Sequence, residues 1–274
     1  MPDSDTPPTA LTIAGSDSGG GAGVQADLTT FAAHGVHGTS ALTAVTAQNT
    51  TDVRGVVALD PSFVRLQVET VLDDFAVGGV KTGMLANAAI VTEVAKLAAA
   101  SALSSLVVDP VLVTSTGHSL LEPDGVTAYL ELLLPHALVA TPNLREAAVL
   151  AGVLVEDITT VEAMVDVAER LRTSTGARYV VVKGGHRTGS ADDVVAGPTG
   201  ATVLSGTRVT TGNDHGTGCS LSAAVAANLA RGLAVEVAIA SAKAYVARAL
   251  AGAAAWRLGA GHGPVDHFGW SGAP

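Results

Sequence analysis

Short apolar, β-branched runs alternate with stretches of helical period along nearly all of the 274 residues, an order that a sheet built from βαβ units satisfies most economically. Leu11–Ala14, Val24–Ala33 closed by Gly35, and Ser40–Ala47 read as strand, helix, strand. Asp60-Pro61 reads as the N-cap and first residue of a helix to about Leu72, and Val77–Val80 as the next strand. Asn87 caps a helix to about Ala100, Leu106–Val108 is a buried-strand run, a helix covers Gly125–Leu134, and Leu138–Ala140 is another strand. Helices follow at Leu144–Ala151 and Val161–Thr173, the second opened by the capping-box pair Thr159 and Glu162. Tyr179–Val182 is strongly β-branched, and short segments at Val194–Ala196, Thr202–Leu204 and Arg208–Thr210 are expected as antiparallel edge strands. Ala-rich helices over Gly218–Ala230 and Val235–Trp256 close the chain. No linker, repeat or low-complexity insert lies between Ala10 and Gly269. The pattern therefore predicts a single α/β domain over 10–270, with three αβα layers, a mostly parallel central sheet and antiparallel edge strands; residues 1–9 are expected to be a disordered tail.

Composition narrows the partners. With 48% hydrophobic and 15% charged residues the chain can bury a large core, and a formal charge of −10 argues against a nucleic-acid groove or an anionic membrane surface. Cys219 is the single cysteine, so no internal disulfide or multi-thiolate metal site is available, which fits a reducing cytoplasm. The start, Met1 to Pro8, is acidic and Pro-rich without the features of a signal peptide, and Arg231, Glu236, Lys243 and Arg248 interrupt the apolar stretch Ala223–Ala255. A soluble, cytoplasmic protein is expected.

In open α/β sheets ligands bind beyond the carboxyl ends of the strands, which directs attention to the residues just after each strand. There stand Gly15 to Gly23 with Asp27, Gln48-Asn49, Asp109-Pro110, Thr141 to Glu146 and Lys183 to His186; Asn213 to Cys219 directly precedes a helix. Gly21-Ala-Gly23-Val-Gln-Ala26 matches the dinucleotide pattern weakly and lacks the acidic ribose ligand; the glycines equally suit a tight strand-to-helix turn. Gly216-Thr-Gly218 is the better phosphate candidate, because glycines at a helix start expose N–H groups in the field of the helix dipole. Cys219 falls in that first turn, where the field favours thiolate, although a small buried hydrophobe is the alternative. Asp109 and Glu146 could orient Mg²⁺ and its waters, while Asn143 and Glu146 could equally be an N-cap with its N3 partner. Lys183 suits phosphate binding or a solvated strand end. His34, His118, His136 and His267 have no ligand spacing and are expected at the surface.

Taken together, Ala14 to Asp27, Ala44 to Asn49, Lys81-Thr-Gly-Met-Leu85, Val108-Asp-Pro-Val111, Thr141 to Ala147, Lys183-Gly-Gly-His186 and His215-Gly-Thr-Gly-Cys-Ser-Leu-Ser222 closely resemble the hydroxymethylpyrimidine/phosphomethylpyrimidine kinases of thiamin biosynthesis, in the ribokinase superfamily. The resemblance runs from about Leu11 to Phe268, with seven motifs in family order. It implies a ribokinase-like fold, a homodimer, and ATP- and Mg²⁺-dependent phosphorylation of 4-amino-5-hydroxymethyl-2-methylpyrimidine and then of its monophosphate. By motif it implies that Gly15, Asp27, Gln48, Met84 and Val111 line the pyrimidine pocket, Asp27 and Gln48 being its polar readers. Gly216, Thr217 and Gly218 would form the anion hole, with Cys219 where sugar kinases of the superfamily carry an Asp base. Asp109 and Glu146 would serve the metal and Lys183 the nucleotide phosphates. Two positions depart from the pattern: Asp214 stands where Thr is common, and Leu112 where Met is common. A pyridoxal kinase shares the Gly-Thr-Gly-Cys turn and is the same-class alternative. A non-catalytic pyrimidine-binding module would not need Gly216–Cys219, Asp109, Glu146 and Lys183 together.

Overall fold

The computed structural model describes residues 6–112, 123–185, 187 and 189–272. His118, His186 and residues 1–5 of the expected tail lie outside the described residues. In chain order the first half comprises β1 (Thr9–Ala14), α1 (Gly23–Ala33), β2 (His37–Leu42), β3 (Ala44–Gln48), β4 (Val53–Ala58), α2 (Pro61–Asp74), β5 (Val77–Thr82), α3 (Ala88–Ala99) and β6 (Leu106–Val108). Then come α4 (Pro123–Ala128), β7 (Val139–Ala140), α5 (Leu144–Ala151), α6 (Val161–Thr175), β8 (Tyr179–Val182), β9 (Asp193–Gly197), β10 (Gly200–Leu204), α7 (Thr217–Ala230) and α8 (Val235–Ala253).

Eight strands form one sheet in the order β10-β9-β8-β7-β6-β5-β1-β2. From β2 to β8 all pairings are parallel, and β9 and β10 add antiparallel strands at one edge. Strand side chains alternate between two cores as a period of two requires. Leu11, Ile13, Val80, Val108, Val180 and Val182 face the core shared with α2 to α6. Ala10, Val107, Val139, Val181 and Val195 face the core shared with α1, α7 and α8. These are the three expected layers. The strand order reverses direction at β1, opening a crevice between the carboxyl ends of β1 and β5. Over that region sits α7, whose residues Ser220 to Leu229 are all buried. It lies directly on β5, where a Cβ at Gly79 would stand 2.4 Å from the Ala226 carbonyl oxygen.

Several local expectations are corrected. Ser40–Ala47 is two strands: at Thr43 the chain leaves the sheet, the Thr43 N–H donating to the Ala14 carbonyl and its hydroxyl to that of Met84. β3 then pairs antiparallel with β4, a strand that Arg54 and Gly55 disguise in the sequence. Ordered structure starts earlier than expected, since the Pro8 carbonyl accepts the His37 N–H and β1 begins at Thr9. The helix expected over Gly125–Leu134 ends as an α-helix at Ala128 and continues through a π turn and a 3₁₀ turn, because Pro135 has no N–H to carry the α pattern on. Thr160, not Thr159, caps α6. Arg208–Thr210 forms no strand; the Arg208 guanidinium instead donates to the carbonyls of Gly185 and Gly189. His34 and His267 are half-buried rather than on the surface, each hydrogen-bonded through its ring, to the Thr30 carbonyl and the Ser220 hydroxyl respectively.

Candidate active site

The parallel strands deliver Gly15, Gly83, Asp109, Thr141 and Lys183 to one edge, each immediately after its strand. Asp109, only 2% exposed, is the hub. Its Oδ1 accepts from Lys183 Nζ at 2.8 Å and Thr141 Oγ1 at 3.1 Å, and its Oδ2 accepts from Ser222 Oγ of α7 at 3.1 Å. Burial opposes its charge, but the Lys183 and Lys81 ammonium groups outweigh that and hold the carboxyl below the usual range. Lys183 Nζ lies 3.2 Å from where a Gly218 Cβ would stand, so the ammonium reaches the first turn of α7.

That turn is built on a left-handed residue. Gly216, the N-cap of α7, has φ +79°, and a Cβ there would stand 1.8 Å from the Gly21 carbonyl oxygen, so only glycine fits. The Thr217 N–H donates to the Asp214 carbonyl and the Ser220 N–H to that of Gly216. The N–H groups of Gly218 and Cys219 have no partner among the described residues and stand at the positive end of the helix dipole beside Lys183. Two free donors, a dipole and an ammonium make a site for a tetrahedral anion.

Glu146, 3% exposed, forms both halves of a capping box: its Oε2 accepts the Asn143 N–H at 2.7 Å and its own N–H donates to Asn143 Oδ1 at 3.0 Å. The capping interpretation of this pair is therefore correct. Burial, with help from the neighbouring Asp109 charge, pushes its carboxyl up to about 7 despite Lys183. Two buried carboxylates whose charges repel, one of them reluctant to ionise, suit a divalent cation held through water and phosphate oxygens, as Mg²⁺ is. Among the described residues no three His, Cys, Asp or Glu side chains converge as a complete metal cage.

On the other side of the crevice Gly15 packs against Met84, a Gly15 Cβ being only 2.3 Å from Met84 Cε, while the Gly15 N–H donates to the Met84 carbonyl at 3.1 Å. Met84, Val111 and Gln48 are half-buried. Asp27 is fully buried, and its Oδ2 accepts from both Thr12 Oγ1 at 2.6 Å and Lys81 Nζ at 2.8 Å. Its Oδ1 has no partner among the described residues. Lys81 is also fully buried, and Asp27 and Asp109 overcome the burial penalty to keep it charged. The expectation for Cys219 is corrected. The helix field was expected to favour its thiolate; instead burial, reinforced by Asp27 and Asp109, pushes the thiol up to about 11 even against Lys81. Asp214 points outward, its Oδ1 2.7 Å from Nδ1 of the exposed His262.

The sequence motifs contain further residues of the site to which the pattern gave no role. Asp17 ties the glycine loop together, Lys81 underlies the crevice, and Thr141 and Ser222 orient Asp109. A charged residue in an otherwise apolar strand, Val77 to Thr82, was the one available signal for Lys81.

The sequence profile of the phosphomethylpyrimidine kinase family matches residues 17–266. The hydroxymethylpyrimidine/phosphomethylpyrimidine kinase of Streptomyces coelicolor is 47% identical over 266 residues, 97% of this chain and 96% of that protein. Among solved structures, an ADP complex of Bacillus subtilis pyridoxal kinase superposes with a TM-score of 0.86 at 37% identity, covering 96% of this chain and 98% of that one. The phosphomethylpyrimidine kinase of Clostridium difficile 630 gives a TM-score of 0.78 at 37% identity, covering 88% and 99%. With its ribokinase-like architecture and these matches along almost its whole length, the chain belongs to the phosphomethylpyrimidine kinase family.

Proposed function

We propose that this chain is an ATP-dependent kinase that phosphorylates 4-amino-5-hydroxymethyl-2-methylpyrimidine and then its monophosphate, giving the diphosphate used in thiamin biosynthesis. The observation that carries the reading is the turn Gly216–Cys219: two N–H groups without a partner among the described residues, at the start of a buried helix, beside Lys183 and facing a crevice between β1 and β5. Phosphoryl transfer passes through a loose transition state governed by position and charge, which such a turn supplies. Gly15, Asp27, Met84, Val111 and Gln48 hold the ring, with Gln48 and Asp27, whose Oδ1 has no partner among the described residues, as its polar readers. Gly216, Thr217 and Gly218 hold the transferring group, and Lys183 contacts the nucleotide phosphates. Asp109 and Glu146 would hold Mg²⁺, which would supply neutralisation of phosphate charge. Cys219, as a thiol, lies nearest the alcohol and takes its proton only through a minor ionised population.

Incubating the protein with ATP and each of the pyrimidine alcohol, its monophosphate and pyridoxal, and measuring ADP release, tests the reading. Release dependent on both pyrimidines is expected; release with neither overturns it. Pyridoxal phosphorylation is the second reading, favoured by the likeness to the B. subtilis pyridoxal kinase.

The β3–β4 hairpin exposes Val45, Val53, Val56 and Val57 on a two-stranded sheet that is marginal on its own. A homodimer joined through this hairpin would cover it, and sedimentation of the protein against a Val57→Lys variant checks that assignment. Among the described residues no helix is long and apolar enough to cross a membrane. A cytoplasmic location, where Cys219 stays reduced, accords with this reading, as does a set of partners limited to small molecules and a second copy of the chain.

A further inference from the structure

Asp17 is 2% exposed, and every bond of its side chain turns inward. Oδ1 accepts the Gly19 N–H at 2.8 Å; Oδ2 accepts the N–H groups of Gly21 at 3.1 Å and Ala22 at 2.9 Å, and lies 2.8 Å from His215 Nε2. Burial opposes the charge of Asp17, but the His215 contact and these N–H donors more than offset it and hold the carboxyl below its usual range. A carboxylate can only accept, so His215 Nε2 carries a hydrogen directed at Asp17. The imidazole packs closely on the glycine loop, its Cδ2 lying 2.6 Å from where a Gly21 Cβ would stand, and the His215 backbone N–H donates to the Gly263 carbonyl at 3.1 Å. His215 immediately precedes Gly216, the start of the anion-binding turn. Gln48 Nε2 lies 3.4 Å from His215 Nε2, a contact between two donors and not a hydrogen bond; the tie to Gln48 runs through Ser18, next to Asp17, whose hydroxyl accepts the Gln48 backbone N–H and donates to its carbonyl at 2.7 Å each.

We propose that Asp17 and His215 form a strut that fixes the distance between Gln48, which reads the ring, and the Gly216–Cys219 turn, which holds the phosphoryl group. Neither residue touches the reacting atoms; both are positioning residues, and their role rests on the kinase reading above. The strut does not strengthen the binding of either substrate alone. It sets the approach of the acceptor oxygen to the phosphorus, where a displacement of about 1 Å costs on the order of 100-fold in rate.

The test compares two isosteric replacements, His215→Gln and His215→Glu. Gln places an amide donor where Nε2 stands; Glu sets an acceptor against Asp17. The Gln variant is expected to keep single-turnover transfer within about threefold of the parent and the Glu variant to lose about 100-fold, while separately measured Kd values for ATP and for the acceptor change less than about threefold in both. If the Glu variant does not fold, His215→Leu, which removes the donor without adding charge, replaces it with the same expectation. Equal transfer in the Gln and donor-free variants overturns the strut, as does equal loss in both, or a loss of transfer matched by a loss of binding. Parent turnover with the pyrimidines and with pyridoxal is measured first, so that failure of the substrate assignment is seen separately. Backbone amide exchange over 15–24 and 212–219 gives a readout independent of any acceptor: it should rise in both segments in the Glu or Leu variant and in neither in the Gln variant, and unchanged exchange in all of them also overturns the strut.

Discussion

Replacing Cys219 with Ala should separate the two phosphoryl transfers. With its thiol pushed from 9.0 up to about 11, Cys219 is ionised at pH 7.5 in roughly one molecule in 3,000, an ionisation that costs about 4.8 kcal/mol. A base so rarely available retains little of the roughly 10²- to 10⁴-fold that a positioned base contributes. We therefore expect Cys219→Ala to slow phosphorylation of the alcohol by about tenfold at pH 7.5. Transfer to the monophosphate should slow by less than about threefold, because that acceptor, with a second pKa of about 6, is already ionised. In the parent the alcohol step should climb between pH 7 and 9.5, approaching tenfold per unit as the thiolate population grows; in the variant it should stay flat. Rapid-quench single turnovers with each acceptor read both quantities. Equal slowing of the two steps, or a flat parent profile, would refute the base role. The same shift has a stability counterpart: the folded chain holds the thiol proton more tightly than the unfolded chain, so stability present below pH 9 falls by on the order of 2–3 kcal/mol as pH rises through 11. The Ala variant should lack that decline.

Glu146, raised from 4.5 to about 7, also favours the folded state most when protonated, so its contribution is full below pH 4.5 and lost as pH rises through 7. Glu146→Gln should therefore raise Tm relative to the parent by about 5 °C at pH 8 with no gain at pH 4.5, while increasing the Mg²⁺ needed for half-maximal rate; a Tm difference independent of pH would contradict the shift. Gly216→Ala forces a left-handed residue and a clash with the Gly21 carbonyl, and calorimetry should show ATP affinity falling at least about 30-fold, with wild-type affinity excluding the anion-hole assignment. Gln48→Ala should weaken pyrimidine binding by about 1–3 kcal/mol and leave ATP binding unchanged; the opposite pattern would move Gln48 out of the ring pocket. Asp109→Asn strands the Lys183 ammonium, and half-saturation by Mg²⁺ at fixed ATP should rise; an identical titration would remove Asp109 from the metal.

What the sequence revealed of the site was whatever stands out against its neighbours in the chain. Asp109, Thr141 and Lys183 are polar residues ending apolar strands, and Gly216 and Gly218 open an Ala-rich helix, so position alone marks them. Asn143 and Glu146 carry the three-residue spacing of a cap. Pairings across the fold left no such trace. Lys81 ends a strand as a solvated lysine would, yet its partner Asp27 lies 54 residues upstream, and Asp17 meets His215 across 198 residues. The field at the start of α7 can be inferred from Gly216–Cys219, but the burial that reverses its effect on the thiol, and the carboxylates that reinforce it, Asp27 in α1 and Asp109 just after β6, come from the rest of the fold. β4 stayed hidden because all six of its residues are exposed and no core imposes an alternating pattern on them.

The ten successive buried residues of α7 make that helix a rigid transmission rod. Ala226 touches the backbone of β5 at Gly79, and Gly218 lies eight residues further toward the amino end, about 12 Å along the axis. A methyl added at Gly79 would stand 2.4 Å from the Ala226 carbonyl oxygen, so the rod must slide or tilt, and its far end carries the displacement to the Gly216–Cys219 turn. Variation in substrate preference within such a scaffold can thus originate where no ligand ever reaches, in the choice between Gly, Ala and Val along one packed seam.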